Sequence, residues 1–170
     1  MRVYVWACCN AETPRAPNSY NPHEIRRFHL LSSRLLIAVS TPWASQKVTD
    51  PIINLARRLD ADVIAVHVAT QSDADEKEAD AKHRGEQTLE LLGDAMRAQG
   101  IDYECVLLFS DDVAKAIINT ARERECTVVV MGIGKQTLLQ RVFGKNVPAE
   151  VARQSNLPVL MLPAQWEGLV

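Results

Sequence analysis

Five short apolar runs follow one another along the chain from residue 34 onward. Each run is rich in valine, leucine and isoleucine, and its apolar residues are nearly continuous rather than alternating with polar ones. Such continuity is typical of strands that are covered on both faces of a sheet. The pattern therefore predicts five buried strands, at residues 35–39, 63–68, 103–109, 127–131 and 158–162.

Segments with helical spacing of apolar residues lie between these runs. Asp50 and Pro51 precede an apolar stripe and have the pattern of a cap followed by a first-turn proline, which predicts a helix that begins at Pro51. A charged stretch that starts near Asp75 carries one apolar face and ends at Gly100, a residue suited to the position after a helix.

Two further helical stripes follow, one capped by Asp111 or Asp112 and one that includes Val147 and Val151. The predicted order of elements is βαβαβαβαβ. Strands that alternate with helices favour a parallel sheet with right-handed crossovers and helices on both faces. The predicted fold class is therefore α/β, with a single doubly wound five-stranded parallel sheet.

Residues 1–33 differ from the rest of the chain. They hold three of the eight prolines, and the polar stretch 10–21 has neither the period of a strand nor that of a helix. This composition predicts a poorly ordered N-terminal extension. We therefore expect an extension at 1–33, an α/β domain at 34–164 and a C-terminal tail at 165–170.

The composition of the 170 residues excludes several classes of protein. The chain is 47% hydrophobic and 24% charged, with a net charge of −2, which favours neither nucleic acid nor an anionic membrane as a partner. The four cysteines are too few for a disulfide scaffold, and Cys105 and Cys126 are expected to be buried. The start of the chain lacks the pattern of a signal peptide, so the expected compartment is the cytoplasm.

A ligand of a doubly wound sheet binds beyond the carboxyl ends of the strands, at the topological switch point. Glycines there let the backbone approach a phosphate, lysines add positive charge, and a helix N-terminus offers amide donors. A tight turn and a solvated basic face are the alternative interpretation of the same residues. The candidate ligand-binding residues are Ser40, Thr41, Val68, Gly132, Gly134, Lys135, Gly144, Lys145 and Asn146.

The sequence contains no established catalytic or metal-binding motif. It has no P-loop and no serine-hydrolase elbow, and Thr137 stands where a dinucleotide fingerprint needs glycine. Ser40, His67 and Asp111 follow or lie near strand ends, but their spacing is not that of a triad. We interpret His67 as a core or edge histidine and the Asp111-Asp112 pair as a helix cap. No catalytic residue and no metal ligand is predicted.

The region from Arg34 to Pro163 resembles the universal stress protein family. The resemblance is carried by the segments LLIAVS, ARRLDADVIAVHV, DDVAKAIINTARERECTVVVMGIGK and GKNVPAEVARQSNLPVLMLP. It is similar above all to the universal-stress domain of potassium-sensing histidine kinases. The resemblance implies a sheet of strand order 3-2-1-4-5, numbering the five predicted strands along the chain. It also implies a homodimer through the last strand, from Pro158 to Pro163.

One branch of this family binds ATP through an aspartate after the first strand and a G-x-x-G-x9-G-[ST] segment. This chain keeps the nine-residue spacer between Gly134 and Gly144. It departs at Ser40, which replaces the aspartate, at the shortened pair Gly132-x-Gly134, and at Lys145, which replaces the Ser or Thr. Each lost hydrogen bond to a charged group is worth about 1.5–3 kcal/mol, so the affinity for ATP is expected to be tenfold or more lower.

A cyclic di-AMP motif of the sensor-kinase branch is not favoured, because only Ser40 and Ala65 match among its six defined positions. Three hypotheses on function stay open. The first is a non-catalytic regulatory module in the stress response that binds an adenine nucleotide, ATP or AMP. The second is a stress protein that binds no nucleotide and acts through dimerisation and protein partners. The third is a weak ATPase, for which the sequence supplies no convincing base or metal carboxylate.

Overall fold

The computed structural model describes residues 2–6, 33–40, 42–70, 78–133 and 146–163. Among these residues it contains six strands and four helices in one sheet-and-helix unit. The strands are β1 Arg2–Trp6, β2 Arg34–Ala38, β3 Asp62–Ala69, β4 Tyr103–Phe109, β5 Val128–Ile133 and β6 Val159–Pro163. The helices are α1 Pro42–Leu59, α2 Glu78–Ala98, α3 Val113–Glu123 and α4 Val147–Gln154.

The sheet has the order β1-β4-β3-β2-β5-β6. Strands β2 to β6 are parallel, and their order confirms the five-stranded 3-2-1-4-5 arrangement that the resemblance implied. Strand β2 is central, since Leu36 pairs with Ile64 of β3 on one side and with Val129 of β5 on the other. The chain therefore winds outward from β2 first in one direction and then in the other, which places the switch point between β2 and β5.

The sequence pattern predicts no strand in residues 1–33, whereas the structure has one there, β1. Arg2–Trp6 pairs antiparallel with β4, from Arg2 opposite Phe109 to Trp6 opposite Cys105. Valine, tyrosine and tryptophan have high β propensity, and the edge of β4 offers backbone groups that need partners. Residues 7–32 and the predicted tail at 165–170 lie outside the described residues.

Each face of the sheet packs against two helices and has its own apolar core. Leu35 and Ile37 of β2 contribute to the core that includes residues of α1 and α2, whereas Leu36 belongs to the core that includes residues of α3 and α4. Leu35 and Leu36 are both fully buried on opposite faces of the same strand. This two-sided burial explains why the strands are continuously apolar in sequence.

Helix α1 begins earlier than the sequence predicted. It starts at Pro42, and Pro51 lies inside it rather than at its first turn. The predicted apolar stripe is nevertheless buried, with Ile52, Ile53 and Ala56 in the core. Proline lacks an amide donor, so it suits the first turn of a helix, where that donor has no partner within the helix. Inside a helix the missing donor removes one hydrogen bond and lowers the stability. No glycine or second proline between 43 and 50 interrupts the helix before Pro51.

The predicted ends of the other helices are confirmed. Asp112, not Asp111, caps α3, because its carboxylate accepts the amide of Lys115 at 3.1 Å. Gly100 follows α2 with φ +67°, a left-handed conformation that favours glycine. Cys105 and Cys126 are buried as predicted, and burial raises the pKa of the Cys126 thiol to about 11.

Candidate functional site

Ser40 and Gly132 lie at the same edge of the sheet, at its switch point. Ala38, the last residue of β2, pairs with Met131 of β5, so Ser40 and Gly132 both lie just beyond this pair. Both residues are exposed. Within the part of the chain that the structure describes, a Cβ atom built on Gly132 would have no heavy atom within 4 Å, so no described side chain fills the space above this glycine. The sequence prediction that these two residues come together is therefore in agreement with the sheet topology.

Val68 lies at the same carboxyl edge, on the neighbouring strand β3. Ala38 pairs with Val66, and the amide of Val39 donates to the Val66 carbonyl at 3.0 Å, which extends the β2–β3 pairing toward Ser40. Val68 is half-buried and packs against the core on the α3 and α4 side of the sheet. It presents an apolar surface next to the switch point, as a flat heterocyclic ring would require.

Asn146 acts as the N-cap of α4. Its side-chain oxygen accepts the amide of Ala149 at 3.2 Å, and its carbonyl accepts the amide of Glu150 at 2.9 Å. Pro148, in the same first turn, has no amide hydrogen. The helix therefore offers fewer amide donors to an anion than a helix N-terminus was predicted to supply. Asn146 is exposed, and its side-chain amide nitrogen is a hydrogen-bond donor.

Five of the predicted ligand-binding residues lie outside the described part of the chain. They are Thr41, Gly134, Lys135, Gly144 and Lys145. The proposed contacts of the 134–145 segment with phosphate therefore stay predictions. Described residues lie on either side of this segment. Gly132 is near the end of β5, and Asn146 is the N-cap of α4.

His67 supports the turn that carries Ser40. Its imidazole is only 5% exposed, and its Nδ1 lies 3.0 Å from the carbonyl oxygen of Val39, the residue before Ser40. Burial lowers the pKa of His67, and the charge of Arg84 lowers it further, against the opposing effect of the Val39 hydrogen bond. The lowered pKa favours the neutral ring. Because a carbonyl oxygen can only accept, Nδ1 carries the hydrogen that is donated to Val39. The prediction of a core histidine is confirmed, whereas this contact with the candidate site was not predicted.

Helix α2 approaches His67 at a glycine. A Cβ atom on Gly85 would lie 2.5 Å from Cδ1 of Leu107 and 2.9 Å from Cδ2 of His67. Both distances are shorter than real contacts allow, so any larger side chain at this position must displace the imidazole or the leucine. Gly85 thus holds the close packing that keeps His67 against β2. The sequence gives no local signal for this role, because it depends on the crossing of α2 over β3 and β4.

A cavity of about 590 Å³ lies at the opposite edge of the sheet. Its lining includes Arg57 in the last turn of α1 and Asp60 just after that helix. It also includes Gly100 and Asp102, which follow α2. These residues precede β3 and β4, at the amino ends of the strands. The cavity is therefore separate from the switch point where Ser40 and Gly132 lie.

Two classes of site find no support in the described ranges. No group of three or more His, Cys, Asp or Glu residues there is arranged to hold a metal ion. None of the helices in those ranges combines the length and the apolar character that crossing a bilayer requires.

Solved structures similar to this chain share its fold. A universal stress protein in complex with cAMP is 22% identical, with a TM-score of 0.59 over 76% of this chain and 96% of its own. The universal stress protein from Archaeoglobus fulgidus in complex with dAMP is 20% identical, with a TM-score of 0.60 over 78% and 98%. A family member from Arabidopsis thaliana with AMP bound is 15% identical, with a TM-score of 0.55 over 77% and 91%.

No match was found among the curated proteins. A model of the universal stress protein family matches residues 32–163, which include all five parallel strands and all four described helices. This chain therefore belongs to the universal stress protein family.

Proposed function

We propose that this chain binds an adenine nucleotide at the carboxyl edge of its sheet and acts as a non-catalytic regulatory module of the stress response. The observation that carries the proposal is the open space above Gly132, next to Ser40 at the switch point. The similar structures in complex with cAMP, dAMP and AMP support an adenine nucleotide as the ligand class.

The adenine and ribose are proposed to lie near Ser40 and Val68, and the phosphates beyond Gly132. Val68 offers apolar contact, and the hydroxyl of the exposed Ser40 offers one donor and two acceptor lone pairs to the ribose or the base. The segment 134–145, with Lys135 and Lys145, would supply positive charge to the phosphates. ATP, which the sequence motif suggested as the cofactor, and AMP are both members of this proposed ligand class.

Slow ATP hydrolysis is not favoured by the described residues. Asp111 and Asp112 follow β4, which is separated from β2 by β3. The carboxylate of Asp112 is bonded to the amide of Lys115. Neither aspartate is therefore placed at the switch point as a general base or a metal ligand would be.

A pair of tyrosine variants tests the location of the site. Gly132→Tyr fills the open space at the carboxyl edge, whereas Asp102→Tyr adds the same side chain at an exposed position on the amino edge. A ligand at about 100 times its Kd stabilises a protein by about 2.7 kcal/mol, which a thermal shift detects. We expect AMP or ATP to stabilise the wild-type chain and Asp102→Tyr, but not Gly132→Tyr. Equal stabilisation of both variants would place the ligand elsewhere.

A second candidate function, association without a nucleotide, is favoured by the last strand. β6 is a terminal strand of the described sheet, and its Leu160 is 39% exposed. An apolar strand with unpaired backbone groups is suited to pairing with another strand. We propose a second copy of this chain as the partner at β6.

A further inference from the structure

Strand β1 is an addition to the part of the chain that matches the family. The family model begins at residue 32, after β1. In the comparison with two similar structures, 76% and 78% of this chain match 96% and 98% of theirs. The family model alone therefore places Arg2–Trp6 outside the matched region.

The edge of β4 lacks the features that usually protect an edge strand. Residues 105–109, which pair with β1, read Cys-Val-Leu-Leu-Phe and contain no charge and no proline. All five side chains are buried, Leu107 to 3% and Leu108 to 2% exposure, so the strand is apolar on both faces. Lysines, prolines and bulges are the means by which proteins keep sheet edges from pairing with other chains. Without β1, this edge would be a strong site of strand pairing.

We propose that Arg2–Trp6 is a built-in cap that occupies the pairing edge of β4 and excludes a second copy of the chain from it. The cap covers the five residues that lack other protection, in register from Arg2 opposite Phe109 to Trp6 opposite Cys105. Its antiparallel direction sets it apart from the five parallel strands and fits a segment that joins the sheet from outside the βα repeat. With β4 capped, the β6 edge is left for association.

The connection to β2 permits this pairing within one chain. Trp6 lies opposite the start of β4, at the amino edge of the sheet where β2 also begins. Three strand spacings of about 4.8 Å separate β1 from β2, or roughly 14 Å. Residues 7–33 can span roughly 90 Å when extended, so their length sets no limit. A tethered strand meets the edge at an effective concentration on the order of millimolar, well above that of a second copy at micromolar protein.

The wild-type chain gives the first test, by amide hydrogen exchange. In an antiparallel pair, alternate residues of a strand direct their amides toward a given neighbour. We expect the amides of β4 within 105–109 that face β1 to be protected as strongly as those that face β3. If the β4 amides that face β1 exchange as fast as the amides of an unpaired edge strand, the proposal is overturned.

Proline variants of β1 give the second test, in a Leu160→Lys background that weakens association through β6. Tyr4→Pro and Val5→Pro form a matched pair, because only one of two consecutive residues donates its amide to β4. We expect one single variant and the double variant to associate with rising concentration in analytical ultracentrifugation, and the other single variant to sediment like the parent. A peptide of sequence RVYVW in excess should reverse the association. Parent-like sedimentation of all three variants, or failure of the peptide, would contradict the cap.

Discussion

A hydrogen bond from the buried imidazole of His67 to the carbonyl of Val39 connects the core to the proposed nucleotide site. It holds the residue before Ser40, and its donor is kept neutral by burial, which lowers the pKa of the imidazole. The two residues of this contact lie 28 positions apart in sequence. Its consequences can be tested through pH and through packing.

The stability of the fold should fall in mild acid because of His67. Its pKa is lowered below the ordinary value of 6.5 in the fold, so the unfolded chain binds a proton more readily than the folded chain does. The contribution of the neutral ring is thus present above about pH 6.5 and is lost as the pH falls toward the lowered folded value. Urea unfolding at pH 7.5 and 5.5 measures the loss, and His67→Gln should show a smaller one. Equal losses in the two proteins would exclude His67 as the cause.

Two glycines of α2 allow the effect of His67 on ligand binding to be tested apart from a general loss of packing. A Cβ at Gly85 would clash with Leu107 and His67, and one at Gly93 would lie 2.9 Å from the ring of Tyr103. Overpacking costs about 1–3 kcal/mol, against a gain of about 1 kcal/mol from replacing glycine by alanine in a helix. We expect Gly85→Ala to weaken AMP binding in calorimetry and Gly93→Ala to leave it unchanged at comparable stability. Unchanged binding in both variants would show that His67 does not position the site.

Residue roles were predictable from sequence where they are local. The cap at Asp112 and the left-handed Gly100 depend on a few neighbouring residues, and burial of Cys105 follows from its apolar run. The partner of His67 and the close approach of Gly85 depend on how distant elements cross, which no short pattern contains. Ser40 and Gly132 form an intermediate case, because the topology of parallel strands brings strand ends together.

At the scale of elements, α3 offers a test of its capping. The carboxylate of Asp112 accepts the Lys115 amide, so Asp112→Ala should lower the free energy of unfolding by about 1 kcal/mol. Asp111→Ala is the matched control, since it removes an adjacent aspartate that does not accept this amide. Urea titrations at pH 7 compare the two variants. A loss at Asp111 equal to or larger than that at Asp112 would contradict the assigned cap.

The parallel strands were predictable because burial on both faces makes each one apolar by itself. Strand β1 was not, since its strand conformation depends on pairing with β4, about 100 residues later in the chain. The start of α1 was misplaced because Asp50-Pro51 has the local pattern of a helix start, although the helix is already under way from Pro42. Both the strand β1 and the start of α1 depend on parts of the chain outside the local sequence pattern.

At the scale of the whole molecule, the open β6 edge predicts a dimer that a charge disrupts. Leu160→Lys would place an ammonium group at the seam between two β6 strands, where it loses hydration without a partner. We expect the wild-type chain to sediment as a dimer at micromolar concentration and the variant to shift toward monomer. Leu91→Lys, a change at an exposed leucine on α2, is the control that should stay dimeric. A monomeric wild-type chain would end the β6 proposal.

Isothermal titration calorimetry of the 170-residue chain measures whether it binds an adenine nucleotide. AMP, ADP and ATP are titrated separately up to millimolar concentration, with GMP as a control for the base. We expect saturable heat at one site per chain for at least one adenine nucleotide, and a weaker response to GMP. Absence of heat for all three adenine nucleotides, together with no thermal shift at millimolar ligand, would show that the chain does not bind this class of ligand.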